Sequence, residues 1–216
     1  MVENELIKSI FGWIGFTISI YFYLSPVVPF IKVVKGEIKY KDAPFILLLC
    51  NIMNCIMWID YGLVKNTFLV YFTCAIGGAI TLIWITIYLI FLGKKIFLIC
   101  LLSNLLLMGL IFGITYLFYI INIEITGYAA LVFNVLMLIS PGEKIFTVIK
   151  TGKYELIPIF STIGSLLNSG CWLLFGIFQN DLKLIIPNGL GLFFSIIQVL
   201  VYYIYYKKCK KELINI

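Results

Sequence analysis

Long apolar runs alternate with short polar stretches along the whole chain. A helix needs about 20 apolar residues to cross a bilayer, and on that measure the pattern predicts seven spans, at 10–31, 44–64, 67–92, 96–121, 126–149, 158–178 and 182–206. The runs lack period-two alternation, so they read as helices rather than as strands of a barrel. The connectors are short and leave no room for a soluble domain. The predicted fold class is therefore an all-α membrane protein.

Composition agrees with the pattern. The 216 residues are 62% hydrophobic and 12% charged, against roughly 45–50% apolar and about 25% charged in a soluble domain. Mean hydropathy is +1.09. The net charge is +6 and every basic residue is lysine. These lysines lie between apolar runs rather than clustered with aromatics on a solvated face, which argues against a nucleic-acid partner. Histidine is absent, which removes the commonest metal ligand and acid–base group. Cys50, Cys55, Cys74, Cys100, Cys171 and Cys209 show no metal-ligand spacing, and they read as small core residues rather than as disulfides. The N-terminal MVENELIK lacks a basic leader region, so the first run is expected to be retained as a helix.

Lysine placement orients the spans. One side holds Lys32, Lys35, Lys39, Lys41, Lys94, Lys95, Lys144, Lys150, Lys153, Lys207, Lys208, Lys210 and Lys211, and the other only Lys8, Lys65 and Lys183. The C-terminus is expected in the cytosol and the N-terminus outside or in an organelle lumen.

The chain also repeats itself. Ser25-Pro26 matches Ser140-Pro141, and Lys35 matches Lys150, at an offset of 115. After a one-residue slip in a basic loop the offset is 114, pairing Pro44 with Pro158, Asn54 with Asn168, Trp58 with Trp172, Gly62 with Gly176, Asn66 with Asn180, Gly77 with Gly191 and Tyr88 with Tyr202. Two three-helix units can point the same way only if one extra helix separates them. The expected organisation is a first triple-helix bundle at 1–92, a linker helix at 93–122, a second bundle at 123–206 and a Lys-rich cytosolic tail at 207–216. Transporters built from such repeats bind substrate between the halves near mid-membrane.

Depth along the spans selects candidate site residues. Trp58 lies about 21 Å into the core from the cytosolic end, and Asn188 about 9 Å from the outer end, at 1.5 Å per residue. In a core of about 30 Å those levels coincide, and the repeat places Trp172 and Cys74 with them. Aromatic faces stack on the C–H faces of a sugar, and an amide offers donors and an acceptor to its hydroxyls. The competing readings are interfacial packing for the tryptophans and interhelical hydrogen bonding for Asn188. Pro26, Pro44, Pro141 and Pro158 ring the cytosolic end, either as an inner hinge or as ordinary helix punctuation. Asp60, Tyr61 and Asp181 sit near the outer end. With no histidine and no carboxylate at the midplane, passive transport is favoured over proton coupling.

Together these residues resemble the SWEET family of sugar transporters. The resemblance rests on Ser25-Pro26, Pro44, Asn54-Cys55-x-x-Trp58-x-x-Tyr61-Gly62-Leu63, Ser140-Pro141, Pro158, Trp172-x-x-Phe175-Gly176, Asp181, Pro187-Asn188-x-x-Gly191, Gln198 and Tyr202. It spans about residues 10 to 206. It implies a seven-helix uniporter for a mono- or disaccharide working by alternating access, with sugar contacts at Trp58, Cys74, Trp172 and Asn188. It also implies a proline tetrad as inner hinge and an outer gate pairing Tyr61 with Asp181. One position departs: the family usually carries Asn where this chain has Cys74. The expected partners are a sugar, the lipid bilayer and a further copy of the chain, with no cofactor and no enzymatic activity. The plasma membrane is the expected location, with the Golgi or another endomembrane as the alternative. Two other readings share the layout: a PQ-loop proton-coupled amino-acid transporter, disfavoured because no Pro-Gln occurs, and a sorting receptor, disfavoured because the outer side is nearly bare of charge.

Overall fold

The computed structural model describes residues 2–36, 45–91 and 123–214, with Leu102, Leu106, Gly109, Gly113, Tyr116 and Leu117 between them. Pro44 and most of the fourth run lie outside the described residues. Every described element is helical: α1 (Val2–Leu24), α2 (Val27–Val34), α3 (Phe45–Val64), α4 (Phe68–Phe91), α5 (Ile123–Met137), α6 (Ile139–Thr151), a single 3-10 turn at Tyr154–Leu156, α7 (Ile159–Gln179) and α8 (Leu182–Ile214). The six described residues of the fourth run are helical and exposed.

Two of the predicted spans are each a pair of helices meeting near a Ser-Pro step. Pro26 has no N–H to give the Phe22 carbonyl, four residues back. That carbonyl accepts instead from the Ser25 backbone N–H at 3.0 Å and the Ser25 hydroxyl at 2.7 Å. The chain turns and restarts as α2. The break between α5 and α6 falls at Leu138, three residues before Pro141. Helices also outrun the apolar runs: α1 begins at Val2 and α8 continues to Ile214. The hydropathy pattern marks where a helix is greasy, whereas backbone hydrogen bonding decides where it stops.

By length and composition Glu5–Leu24, Phe68–Ile90, Ile159–Gln179 and Leu182–Lys211 can each cross a membrane, and Leu48–Val64 is a shorter apolar helix. Their outer faces expose Ile83, Ile90, Leu167, Leu200 and Ile204. In water each such side chain would cost about 1.5–3 kcal/mol relative to burial; against lipid tails it costs nothing.

The chain divides into two compact units, Ser19–Ala130 and Met1–Ile18 with Leu131–Ile216. In the first, α3 packs along α4 over a core of Phe30, Leu48, Ile52, Ile85, Tyr88 and Leu89. Phe30 of α2 stacks on Trp84 at 5.2 Å and meets Tyr88 edge-on at 6.1 Å. In the second, α7 packs along α8, and α8 also holds α6 and the 3-10 turn. Tyr154 of that turn lies edge-on to Tyr202 and Tyr206 at 5.4 and 5.5 Å. The Tyr205 hydroxyl donates to the Ile149 carbonyl at 3.1 Å. Phe11 of α1 stacks on Phe178 at 6.5 Å.

Candidate functional site

Each unit is organised around a helical hairpin whose turn has the same chemistry. Asn66 and Asn180 both take the left-handed backbone, with φ of 51° and 56°. Asparagine tolerates that region better than other side-chain-bearing residues. At each turn the Asn donates three residues back, to Leu63 O at 3.2 Å and to Ile177 O at 3.0 Å. The next residue donates to a glycine carbonyl, Thr67 to Gly62 at 2.8 Å and Asp181 to Gly176 at 3.0 Å. Those glycines let the hairpin close: a Cβ at Gly62 would lie 2.8 Å from the Tyr71 backbone N, and one at Gly176 2.9 Å from the Leu184 Cβ. The matching bonds fall at the 114-residue offset, so the repeat read from the sequence is a repeat of backbone geometry.

The hairpins place candidate residues at one level. Trp58 and Cys74 lie eight residues before and after Asn66, and Trp172 and Asn188 stand likewise about Asn180. At 1.5 Å per residue each pair sits about 12 Å from its turn. Trp58 is buried and meets Tyr61 edge-on at 5.6 Å, while Trp172 is buried and meets Phe175 edge-on at 5.4 Å. Trp172 lies over Gly15, where a Cβ would come within 3.1 Å of its Nε1. Asn188 spends one amide N–H on the Leu184 carbonyl at 2.8 Å. Within the first unit the structure therefore brings Trp58 and Cys74 to one height, and within the second Trp172 and Asn188.

Among the described residues of the first unit, two buried polar atoms have no protein partner: Asn54 Oδ1 and Trp58 Nε1. They lie one turn apart on α3 and so on one face. One is an acceptor and the other a donor, a combination that one hydroxyl can serve. Leaving such a group unsatisfied costs about 1–3 kcal/mol each. Asn54 was visible in the sequence as one of the repeat pairs but was not among the candidate site residues; its unpaired oxygen is a tertiary fact.

In each unit a side chain from the last helix of the repeat hydrogen-bonds a carbonyl at or near the Ser-Pro step. Gln198 of α8 donates Nε2–H to the Pro141 carbonyl at 3.2 Å, and its Oε1 accepts from the Thr162 hydroxyl at 3.4 Å. Thr162 in turn donates its backbone N–H to the Pro158 carbonyl at 3.0 Å. One buried amide thus links the two proline-bearing segments of that unit. In the other unit Trp84, the position matching Gln198, donates Nε1–H to the Tyr23 carbonyl at 2.9 Å, three residues before Pro26. Trp84 carried no signal by itself, because its role depends on which carbonyl the proline break leaves within reach.

Toward the hairpin turn, Tyr61 is fully buried in the first unit. In the second, the Asp181 carboxylate accepts the Lys183 backbone N–H at 3.0 Å and so caps the start of α8. Cys50, Cys55, Cys74, Cys171 and Cys209 are free thiols.

A family model described as "sugar efflux transporter for intercellular exchange" matches residues 9–96 and again residues 124–210. The two matched stretches flank the fourth run. The bidirectional sugar transporter SWEET7b of Oryza sativa subsp. japonica is 30% identical over 231 residues, covering 98% of this chain and 83% of that protein. SWEET4 of Oryza sativa subsp. indica is 30% identical over 227 residues, covering 98% and 85%. SWEET7 of Arabidopsis thaliana is 29% identical over 225 residues, covering 96% and 84%. A solved eukaryotic SWEET transporter superposes with a TM-score of 0.85 at 22% identity, over 94% of this chain and 99% of that one. That likeness speaks for the fold, and it agrees with the all-α membrane fold of seven transmembrane helices expected from the pattern.

Proposed function

This chain belongs to the family of sugar efflux transporters for intercellular exchange, and from that premise we propose that it carries a mono- or disaccharide across a membrane in either direction, as a uniporter working by alternating access. The relatives bear the name of bidirectional sugar transporters, which favours sugar over an amino-acid cargo and a carrier over an enzyme or a sorting receptor.

The observation that carries the reading is the pairing, in each hairpin, of a buried tryptophan with a hydrogen-bonding residue at the same level, together with the unpaired Asn54 Oδ1 and Trp58 Nε1. A neutral polyol suits these groups, since it brings hydroxyls that donate and accept and C–H faces that stack. Trp58, Cys74, Trp172 and Asn188 are the proposed sugar contacts. Pro26, Pro44, Pro141 and Pro158 form the proposed inner hinge, with Gln198 and Trp84 bracing the breaks. Tyr61 and Asp181 form the proposed outer gate. The proposed organisation is three helices, a linker helix and three helices. The lysine distribution supports a cytosolic C-terminus and an extracellular or luminal N-terminus; the proposed site of action is the plasma membrane, with the Golgi or another endomembrane as the alternative.

Uptake and efflux of radiolabelled glucose in transport-deficient cells tests the reading. The chain should confer saturable flux in both directions that is unchanged when the proton gradient is collapsed. Trp172→Ala and Asn188→Ala, at matched surface levels, should each lower that flux at least tenfold. Flux that needs a proton gradient, or full flux in both variants, overturns it.

A further inference from the structure

The departure at Cys74 raises a question of chemistry. In the second unit Asn188 offers an amide; in the first, the matching position offers only a thiol, a weak donor and weak acceptor. A phenol stands beside it. The Tyr23 hydroxyl of α1 accepts from the Cys55 thiol at 3.5 Å, and the glycine its ring covers lies three residues beyond Cys74 on α4. Its ring occupies space that Gly77 leaves open, since a Cβ at that glycine would collide with the Tyr23 ring. The phenol is thus seated by the absence of a side chain on α4 and aimed at the level of Cys74.

The matching place in the second unit holds different chemistry. There Leu138 stands three residues before Pro141 as Tyr23 stands before Pro26, and its Cδ2 comes 4.0 Å from where a Cβ of Gly191 would be. Ser169 replaces Cys55, and Asn188 replaces Cys74. The second unit places its strong hydrogen-bonding group on the third helix and a hydrocarbon on the first. The first unit reverses this, with a phenol on α1 and a thiol on α4. The capacity to recognise a hydroxyl has moved from residue 74 to residue 23.

We propose that Tyr23 is a specificity-determining residue of the sugar site, its phenol hydrogen-bonding one sugar hydroxyl in place of the amide that Cys74 lacks. The Cys55 thiol holds the phenol weakly. An arriving hydroxyl replaces the S–H···O contact of 3.5 Å with an O–H···O bond of about 2.7–2.8 Å. This rests on the sugar-transport reading above. It predicts a preference at one hydroxyl that the stacking faces of Trp58 and Trp172 do not supply, because stacking does not distinguish a hydroxyl from its absence.

Concentration-dependent uptake of glucose and of its singly deoxygenated analogues separates the two ideas. Tyr23→Phe keeps the ring over Gly77 and deletes the hydroxyl. For glucose it should raise KM about 5–15-fold, the effect of one lost hydrogen bond, with the maximal rate held within twofold. For one deoxy analogue, the one lacking the contacted hydroxyl, Tyr23→Phe and the native chain should share the same KM. Adding Cys74→Asn to Tyr23→Phe should restore the glucose KM to within about threefold. An unchanged KM for every sugar in Tyr23→Phe, with Trp172→Ala still abolishing saturable flux, overturns the role of Tyr23 and leaves the transport reading standing. A native chain that carries no sugar overturns both. A uniform rise in KM for all analogues marks a packing role and also overturns the proposal.

Discussion

The two units share a skeleton and differ at one level of it. Gly62 and Gly176, Asn66 and Asn180, and the hydrogen bonds they make recur at one offset. At the height of the tryptophans, Tyr23, Cys55, Cys74 and Gly77 stand against Leu138, Ser169, Asn188 and Gly191. The difference shows which positions a repeat must preserve. A hairpin turn has few solutions, because one residue must adopt positive φ and one position must admit a crossing backbone. A hydrogen-bonding surface has many, because a hydroxyl can be met by an amide from one helix or a phenol from another. Backbone demands keep the two halves alike, and side-chain reach lets them diverge.

The sharpest way to break this comparison is to fill the two matching glycines. Gly77→Ala drives a methyl into the Tyr23 ring, whereas Gly191→Ala meets chiefly the Ser169 hydroxyl, at 2.7 Å, which can rotate away. Gly77→Ala should lower the melting temperature in detergent by the equivalent of about 1–3 kcal/mol or more, the usual cost of overpacking. Gly191→Ala should cost less than half of that. Combining Gly77→Ala with Tyr23→Leu, which copies the second half, should recover most of the loss; no recovery would mean that the ring is not what Gly77 accommodates.

A smaller effect is expected from the braces at the proline breaks. Gln198→Leu removes both the bond to the Pro141 carbonyl and the bond from Thr162. It should destabilise by about 1–3 kcal/mol, because two hydrogen bonds of about 0.5–1.5 kcal/mol each are lost. Trp84→Phe removes one bond to the Tyr23 carbonyl but keeps an aromatic ring to stack on Phe30, so about 0.5–1.5 kcal/mol is expected. Thermal unfolding of the two variants side by side checks the order, and equal losses would deny the asymmetry. The smallest effect concerns the turns. Asn66→Gly and Asn180→Gly should be nearly neutral, while Asn66→Ala and Asn180→Ala should each cost about 1–2 kcal/mol for a left-handed residue. Alanine variants as stable as the native chain would show that the left-handed turns do not hold the hairpins.

Much of the proposed site is a reading of the sequence. Trp58, Trp172, Cys74 and Asn188 follow from counting residues along helices, because rise per residue is constant and the bilayer has a known thickness. The hairpin glycines and asparagines follow from the repeat. Tyr23 was not legible, although Ser25-Pro26 beside it was noted. Its hydroxyl meets Cys55, 32 positions away, and helical periodicity says which face a residue occupies but not which neighbour's face it meets. The same holds for Gln198 and Trp84, whose partners are carbonyls that a proline break places within reach. The ends of α1 and α8 were missed for a simpler reason: a helix continues past the apolar stretch wherever its backbone bonds remain satisfied.

The sequence alone therefore determined that the chain lives in a membrane, that it repeats with an extra run between the copies, and where along each helix the aromatic and polar residues fall. These follow from hydropathy, spacing and backbone constraints, which are local. Only the tertiary structure decided which groups meet at that level: the phenol of Tyr23 over Gly77 and against the Cys55 thiol, the Gln198 amide bridging Pro141 and Thr162, and the unpaired Asn54 oxygen one turn from the Trp58 indole. Those depend on how helices distant in the chain turn their faces to one another, and packing sets that rotation rather than the pattern within any one helix.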